Sequence, residues 1–180
     1  MPEKYLLRAL TPGEISEALL DQLTVVFAAA LGYPNSDRRV RDQAAITRRH
    51  AGRGGFRAFG AFNGRRLVGF SYGYASRPGL WWREQVTAAM TPDQVKDWFA
   101  DAFEVCELHV HPAHQGQHLG SQLHDHLVSD LPNKTAVLSV MHRSQRARQL
   151  YFSRGWQTIV NELHFSSEPT TPFSVLGLAL

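Results

Sequence analysis

Between Val105 and Met141 the chain passes from an apolar strand pattern, through a turn of small and polar residues, into a helical period and back to a second strand pattern. Val105–His111 reads as a strand and Gln117–Ser129 as a helix with Leu119, Leu123 and Leu127 on one face. Thr135–Met141, bounded by Pro132–Asn133, reads as the second strand. A strand–helix–strand unit forces a parallel crossover, because only adjacent antiparallel strands can be joined by a tight hairpin. The chain is therefore expected to build a mixed sheet flanked by helices, an α/β fold of the α+β type.

The rest of the chain fits around that unit. Tyr5–Ala9 reads as a first strand ended by Thr11–Pro12–Gly13, and Glu14 to about Leu31 as an amphipathic helix stopped by Gly32–Tyr33–Pro34. Ser36 or Asp37 can cap a second helix running to about Ala51. Phe56–Phe62 and Leu67–Ser76 flank Asn63–Gly64, a hairpin signal, and Gly69 and Gly73 point to a bulge or a close backbone approach. Pro78–Phe103 holds Trp81, Trp82, Trp98 and Phe99 and is longer than a simple connection, a candidate lid or acceptor-pocket wall. Ser144–Ser153 reads as a helix broken by Gly155, and Trp156–Phe165 as one long or two short strands. This gives a single domain over 1–166 and a C-terminal tail over 167–180, whose apolar run from Phe173 offers a surface for a homodimer.

Composition narrows the classes of function. Hydrophobic residues make up 43% and charged residues 19%, as in an ordinary soluble domain, and no apolar run approaches the ~20 residues of a membrane span. The N-terminus lacks the basic and apolar regions of a signal peptide, so the expected compartment is the cytoplasm. Cys106 is the only cysteine, which excludes an internal disulfide. The formal charge of +3 is dispersed, and the arginines at 38, 39, 41, 48, 49 and 53 read as the wet face of a helix. A nucleic-acid partner is not expected. His109, His111, His114, His118, His124 and His126 lack a zinc-site spacing, and no metal is expected.

The chemistry concentrates where the first strand of the crossover enters its helix. A turn of small residues there presents unpaired N–H groups at the positive end of a helix dipole, a ready anion site; a tight structural turn reads equally well from the same residues. Gln115-Gly-Gln-His-Leu-Gly120, after a strand ending Val110-His-Pro112, resembles the acyl-CoA signature of the GNAT superfamily of N-acetyltransferases. That signature is Arg or Gln, two residues, Gly, one residue, then Gly or Ala; His118 stands where the first Gly is usual. Downstream, Ala147-Arg-Gln-Leu-Tyr151 followed by Gly155-Trp156 resembles the family's second helix and turn, with Ser144 or Gln145 in place of a frequent Asn.

The resemblance implies a mostly antiparallel sheet with a parallel pair at the acyl-CoA site, and transfer of acetyl from acetyl-CoA to an amine by direct attack. It implies that Gln115, Gly116 and the amides of Gln117, His118, Leu119, Gly120 and Ser121 hold the pyrophosphate. The backbone of Leu108, His109 and Val110 would pair with the pantetheine arm, Ser144 would touch the cofactor, and Tyr151 would contact it and act as general acid. Glu104 or Glu107 would be the base. Period-two alternation puts Glu107, His109 and His111 on one face and Glu104, Cys106, Leu108 and Val110 on the other, so only one of the two glutamates is expected to serve. The acceptor would be a small-molecule amine or a peptide N-terminus. A non-catalytic acyl-CoA-binding or sensor domain of the same fold is the alternative.

Overall fold

A computed structural model describes residues 5–180; residues 1–4, the start of the expected domain, lie outside the described residues. Seven strands hydrogen-bond in the order β1-β2-β3-β4-β5-β7-β6, where β1 is Leu6–Leu10, β2 Arg57–Asn63, β3 Arg66–Ala75, β4 Ala102–Val110, β5 Thr135–Met141, β6 Gln157–Phe165 and β7 Glu168–Ala179. β4 and β5 run parallel, while β1–β2, β2–β3, β5–β7 and β6–β7 are antiparallel. The parallel pair is the one the crossover requires, and the mostly antiparallel remainder is what the family resemblance implies. The described chain divides into two compact units, one ending at Tyr74 and resuming over Val105–Ser129, the other formed by Ala75–Glu104 and Asp130–Leu180.

In the first unit, α1 (Glu17–Leu31) is capped by Ser16, whose hydroxyl accepts from the Leu19 N–H, and ends on Gly32 in the left-handed region. α2 (Arg38–Ala51) is capped by Asp37. Its buried residues, Val40, Gln43, Thr47 and Ala51, form the stripe that a 3.6-residue period dictates, while Arg38, Arg41, Arg48 and Arg49 are exposed. One core cluster joins Leu20, Leu23, Val26 and Phe27 of α1 and Val40 of α2 to Leu10, Phe62, Phe70 and Tyr72 of the strands. A second cluster, Ala61, Val68, Val110, Leu119 and Leu123, seats α5 (Leu119–Val128). Gly69 permits that seating: a Cβ there would lie 3.1 Å from the His109 carbonyl oxygen and 3.1 Å from Leu123 Cδ1. The register steps from Ala61↔Gly69 to Phe62↔Leu67, which leaves Val68 of β3 as an extra residue, so the bulge adjoins Gly69 as expected and Gly73 pairs regularly.

In the second unit, the segment read as a lid or pocket wall folds into α3 (Trp81–Thr87) and α4 (Pro92–Phe99), the latter opened by a Thr91/Gln94 capping box. Val86 and Phe99 are buried with Val137, Phe165 and Val175, and Trp82 and Trp98 pack on the same cluster. The Trp82 indole N–H donates to Ser139 Oγ at 3.0 Å. Trp81 remains half-exposed beside Phe165. The residues read as a C-terminal tail form β7, which pairs with β5 from Thr135↔Ala179 to Met141↔Phe173 and with β6 on its other side. Val175 and Leu176 are fully buried there, so the middle of this apolar run packs inside the unit, while Leu180 stays exposed. α6 (Gln145–Phe152) completes the unit.

Candidate active site

The turn after β4 is held by local contacts. Pro112 opens a 3-10 turn over Pro112–His114, and His111 Nδ1 accepts from the Ala113 N–H at 3.2 Å. Gln115, the first residue of the motif, uses its side-chain amide to tie back to the Val110 carbonyl at 3.0 Å. Gly116 then adopts φ 75° and His118 φ 59°, both left-handed, and α5 begins at once. Left-handed residues interleaved with ordinary ones turn successive N–H groups toward a common concavity. None of the amides of Gly116, Gln117 and His118 has a hydrogen-bond acceptor among the described residues, and those of Leu119, Gly120 and Ser121 are the orphan donors of the first helical turn. The turn 115–118 is exposed, while Leu119 beneath it is buried and fixes the helix.

This backbone explains the motif's glycine at position 118. A left-handed φ favours glycine, and His118 occupies it with a Cβ and no side-chain cap bond. The departure in sequence is thus a local strain, and the amides keep their arrangement.

On β4, Glu107 and His109 form a pair with His109 Nε2 2.6 Å from Glu107 Oε2. Their side chains are 19% and 13% exposed, respectively, so the pair lies in a part-buried wall and still meets solvent. Gln43 of α2 donates to Glu107 Oε1 at 3.3 Å. The His109 ring meets Phe27 edge-on at 5.3 Å and Phe70 at 5.6 Å. Behind Gln43, Thr47 and the Tyr72 hydroxyl continue the polar contacts, and Tyr72 OH lies 3.3 Å from His50 Nδ1. Complete burial, with the nearby Glu107 charge adding, pushes the Tyr72 phenol well above its usual value. Burial, assisted by Arg53 and Arg49, lowers His50 to about 4.

Strict alternation along β4 does not hold. Cys106 packs on the core cluster of α1 and Tyr72, while its neighbour Glu107 also reaches α2. Gln43 and Tyr72 were not singled out from the sequence. The available signal was a glutamine and a threonine on the apolar stripe of an otherwise wet, arginine-rich helix.

Leu108 and Val110 lie in the first unit with His109, whereas Glu104, Ser144 and Tyr151 belong to the second. Glu104 is buried at 2% exposure on β4. Burial lowers the nearby Arg83 guanidinium from its ordinary value, and the charges of Glu104 and Glu84 oppose that fall. Tyr151 is buried on α6 with its ring 5.5 Å from that of Trp156. Ser144 precedes α6 with its hydroxyl unused as a cap. Among the described residues no group of three or more His, Cys, Asp or Glu side chains could hold a metal ion, and no helix is long and apolar enough to cross a membrane.

The model of the acetyltransferase (GNAT) family matches residues 20–156, most of the chain, both motifs included. The chain belongs to the GNAT family. A GNAT relative, the GCN5-like protein acetyltransferase Rv2170 of Mycobacterium tuberculosis, is 27% identical over 201 residues that cover 95% of this chain and 96% of that protein. Among solved GNAT structures, the Escherichia coli ribosomal-protein-S18-alanine N-acetyltransferase matches with a TM-score of 0.65 at 16% identity, covering 97% of this chain and 93% of that one. PaiA N-acetyltransferase of Thermoplasma acidophilum, solved in complex with coenzyme A, matches with a TM-score of 0.62 at 13% identity, covering 98% and 99%. At such identities the two structures speak for the GNAT fold.

Proposed function

We propose that this GNAT protein binds acetyl-CoA and transfers its acetyl group to a primary amine of a small molecule or a peptide N-terminus. The observation that carries the reading is the turn after β4, where left-handed Gly116 and His118 lead into α5 and the amides of 116–121 are left for an anion. Those N–H groups and the positive end of α5 suit a pyrophosphate. The coenzyme A complex of the PaiA relative supports the same cofactor. The backbone of Leu108, His109 and Val110 would take the pantetheine arm, and Ser144 would lie against the cofactor.

Acetylating an amine requires removal of the ammonium proton, attack of the lone pair on the thioester carbon and protonation of the departing thiolate. Tyr151 is assigned as the acid, since a phenol can protonate a thiolate and remain neutral at working pH. The base belongs to the part-buried Glu107–His109 pair. Glu104, almost fully buried beside Arg83, is better suited to balancing that cation. A panel of amines mixed with acetyl-CoA, with free thiol followed over time, tests the reading. Thiol release that depends on one amine class supports it. Tight acetyl-CoA binding with no amine-dependent release would instead make the chain a non-catalytic acyl-CoA sensor.

A further inference from the structure

We propose that the imidazole of His109 takes the proton from the acceptor ammonium, and that Glu107 and Gln43 are positioning residues behind it. This rests on the reading of the chain as an N-acetyltransferase and names the proton acceptor within it.

The hydrogen bonds divide the two roles. An ionised carboxylate only accepts, so the 2.6 Å contact puts the proton of a neutral imidazole on Nε2 and its lone pair on Nδ1. Nδ1 has no hydrogen bond among the described residues, and it is not one of the buried polar atoms lacking a partner, so it meets solvent. Both oxygens of Glu107 are already engaged, one by His109 and the other by Gln43, which is itself buried. A carboxylate that orients an imidazole tautomer and steadies the imidazolium that forms is a recurrent arrangement for a histidine base. Phe27 and Phe70 clamp the ring from α1 and β3, holding the open nitrogen in place. From α2, neutral Gln43 bonds the pair, with Thr47 behind it and His50 beyond at the Tyr72 hydroxyl. β3 brings Tyr72, kept neutral by burial, and the nearest further histidine in sequence, His111, lies past the end of β4 with its Nδ1 taking the Ala113 N–H.

In the balanced step, the ammonium gives one proton to His109 Nδ1. The freed lone pair forms the C–N bond at the thioester carbonyl, and the C–S bond breaks with its electron pair on sulfur. The thiolate takes the Tyr151 hydroxyl proton, and the proton lost by the new amide nitrogen restores the phenol. His109 then releases its proton to solvent, so each ammonium acetylated yields one amide, one thiol and one proton.

The test uses the full chain, acetyl-CoA and an amine found in the panel. His109→Gln keeps a side-chain N–H able to donate to Glu107 yet cannot accept the proton. We expect kcat to fall by ~10²–10⁴-fold, the range for loss of a general base, with the KM for acetyl-CoA and the thermal midpoint little changed. The acid limb of the pH–rate profile should flatten, and added imidazole should restore part of the rate to His109→Ala. Glu107→Gln still accepts from Nε2–H and should lose only about tenfold in kcat, and Gln43→Leu less, both with an unchanged KM for acetyl-CoA. A Glu107→Gln loss equal to or larger than that of His109→Gln, or an active His109→Gln enzyme with its acid limb intact, overturns the assignment. Wild-type protein that turns over no amine would instead defeat the acetyltransferase reading itself.

Discussion

Replacing His118 with glycine should stabilise the protein, against the usual effect of glycine next to a helix. His118 sits at φ 59° and ψ 9° directly before α5. For an L-residue this region costs ~1–2 kcal/mol, because Cβ crowds the following carbonyl. Glycine escapes that cost but gives back ~0.5–1 kcal/mol through the greater freedom of the unfolded chain. The His118 side chain makes no cap bond and is exposed, so little contact energy is lost. The difference is a net gain of ~0.5–1 kcal/mol, a rise of roughly 1–4 °C in Tm for a chain of this size. The control is His118→Ala, which removes the ring but keeps Cβ and should leave Tm within about 1 °C of wild type. Thermal unfolding followed by circular dichroism reads both, and a titration with acetyl-CoA reads whether affinity holds or rises as the amide arrangement relaxes. A lower Tm for the glycine variant, or an equal rise for the alanine variant, would refute the argument that backbone strain at this position is carried by Cβ.

Three further outcomes follow from the same structure. Tyr151→Phe removes one hydroxyl from a buried ring and should lower kcat tenfold or more, by about 1.4 kcal/mol, while acetyl-CoA affinity stays constant by calorimetry. Gly177→Ala would place a Cβ 2.5 Å from the Trp98 ring and should destabilise the chain by ~1–3 kcal/mol, read as a lower denaturant midpoint. His50 is held near 4, below its ordinary 6.5, chiefly by burial, so the unfolded chain binds a proton that the folded chain refuses. The stability this gives is present above about pH 6.5 and lost as pH falls toward 4, by ~2 kcal/mol after allowance for the exposed part of the ring. His50→Gln should flatten the stability profile in that window, and an unchanged slope would show that His50 does not govern it.

The features legible in the chain were those set by neighbours in sequence. Asp37 caps α2, Gly32 ends α1, Asn63–Gly64 closes the β2–β3 hairpin, and the apolar stripes of α1 and α5 name the core-facing residues. Caps, turns and periodicity act within a few bonds of the residue that carries them. The strand–turn–helix of 105–129 was readable for the same reason, and with it the parallel crossover.

What tertiary structure alone decided involves partners far apart in the chain or a backbone that leaves the ideal period. β7 lies between β5 and β6 because Val175 and Leu176 are buried in the sheet there, a pairing that no local pattern distinguishes from an apolar tail. Gln43 reaches Glu107 across 64 positions, so neither residue's surroundings in sequence could name the other. Cys106 packs on the core cluster that α1 joins while its neighbour Glu107 reaches α2, contacts that period-two alternation does not give. The histidine in the turn read as a flaw in a motif; its left-handed φ shows that the motif's glycine answers to backbone geometry, which the amino-acid type only reports indirectly. The sequence by itself determined α1, α2, α5 and α6, the crossover and the turn that opens α5. Three-dimensional packing decided which carboxylate faces an imidazole, because side-chain pairing depends on distance in space and residue order constrains that only weakly.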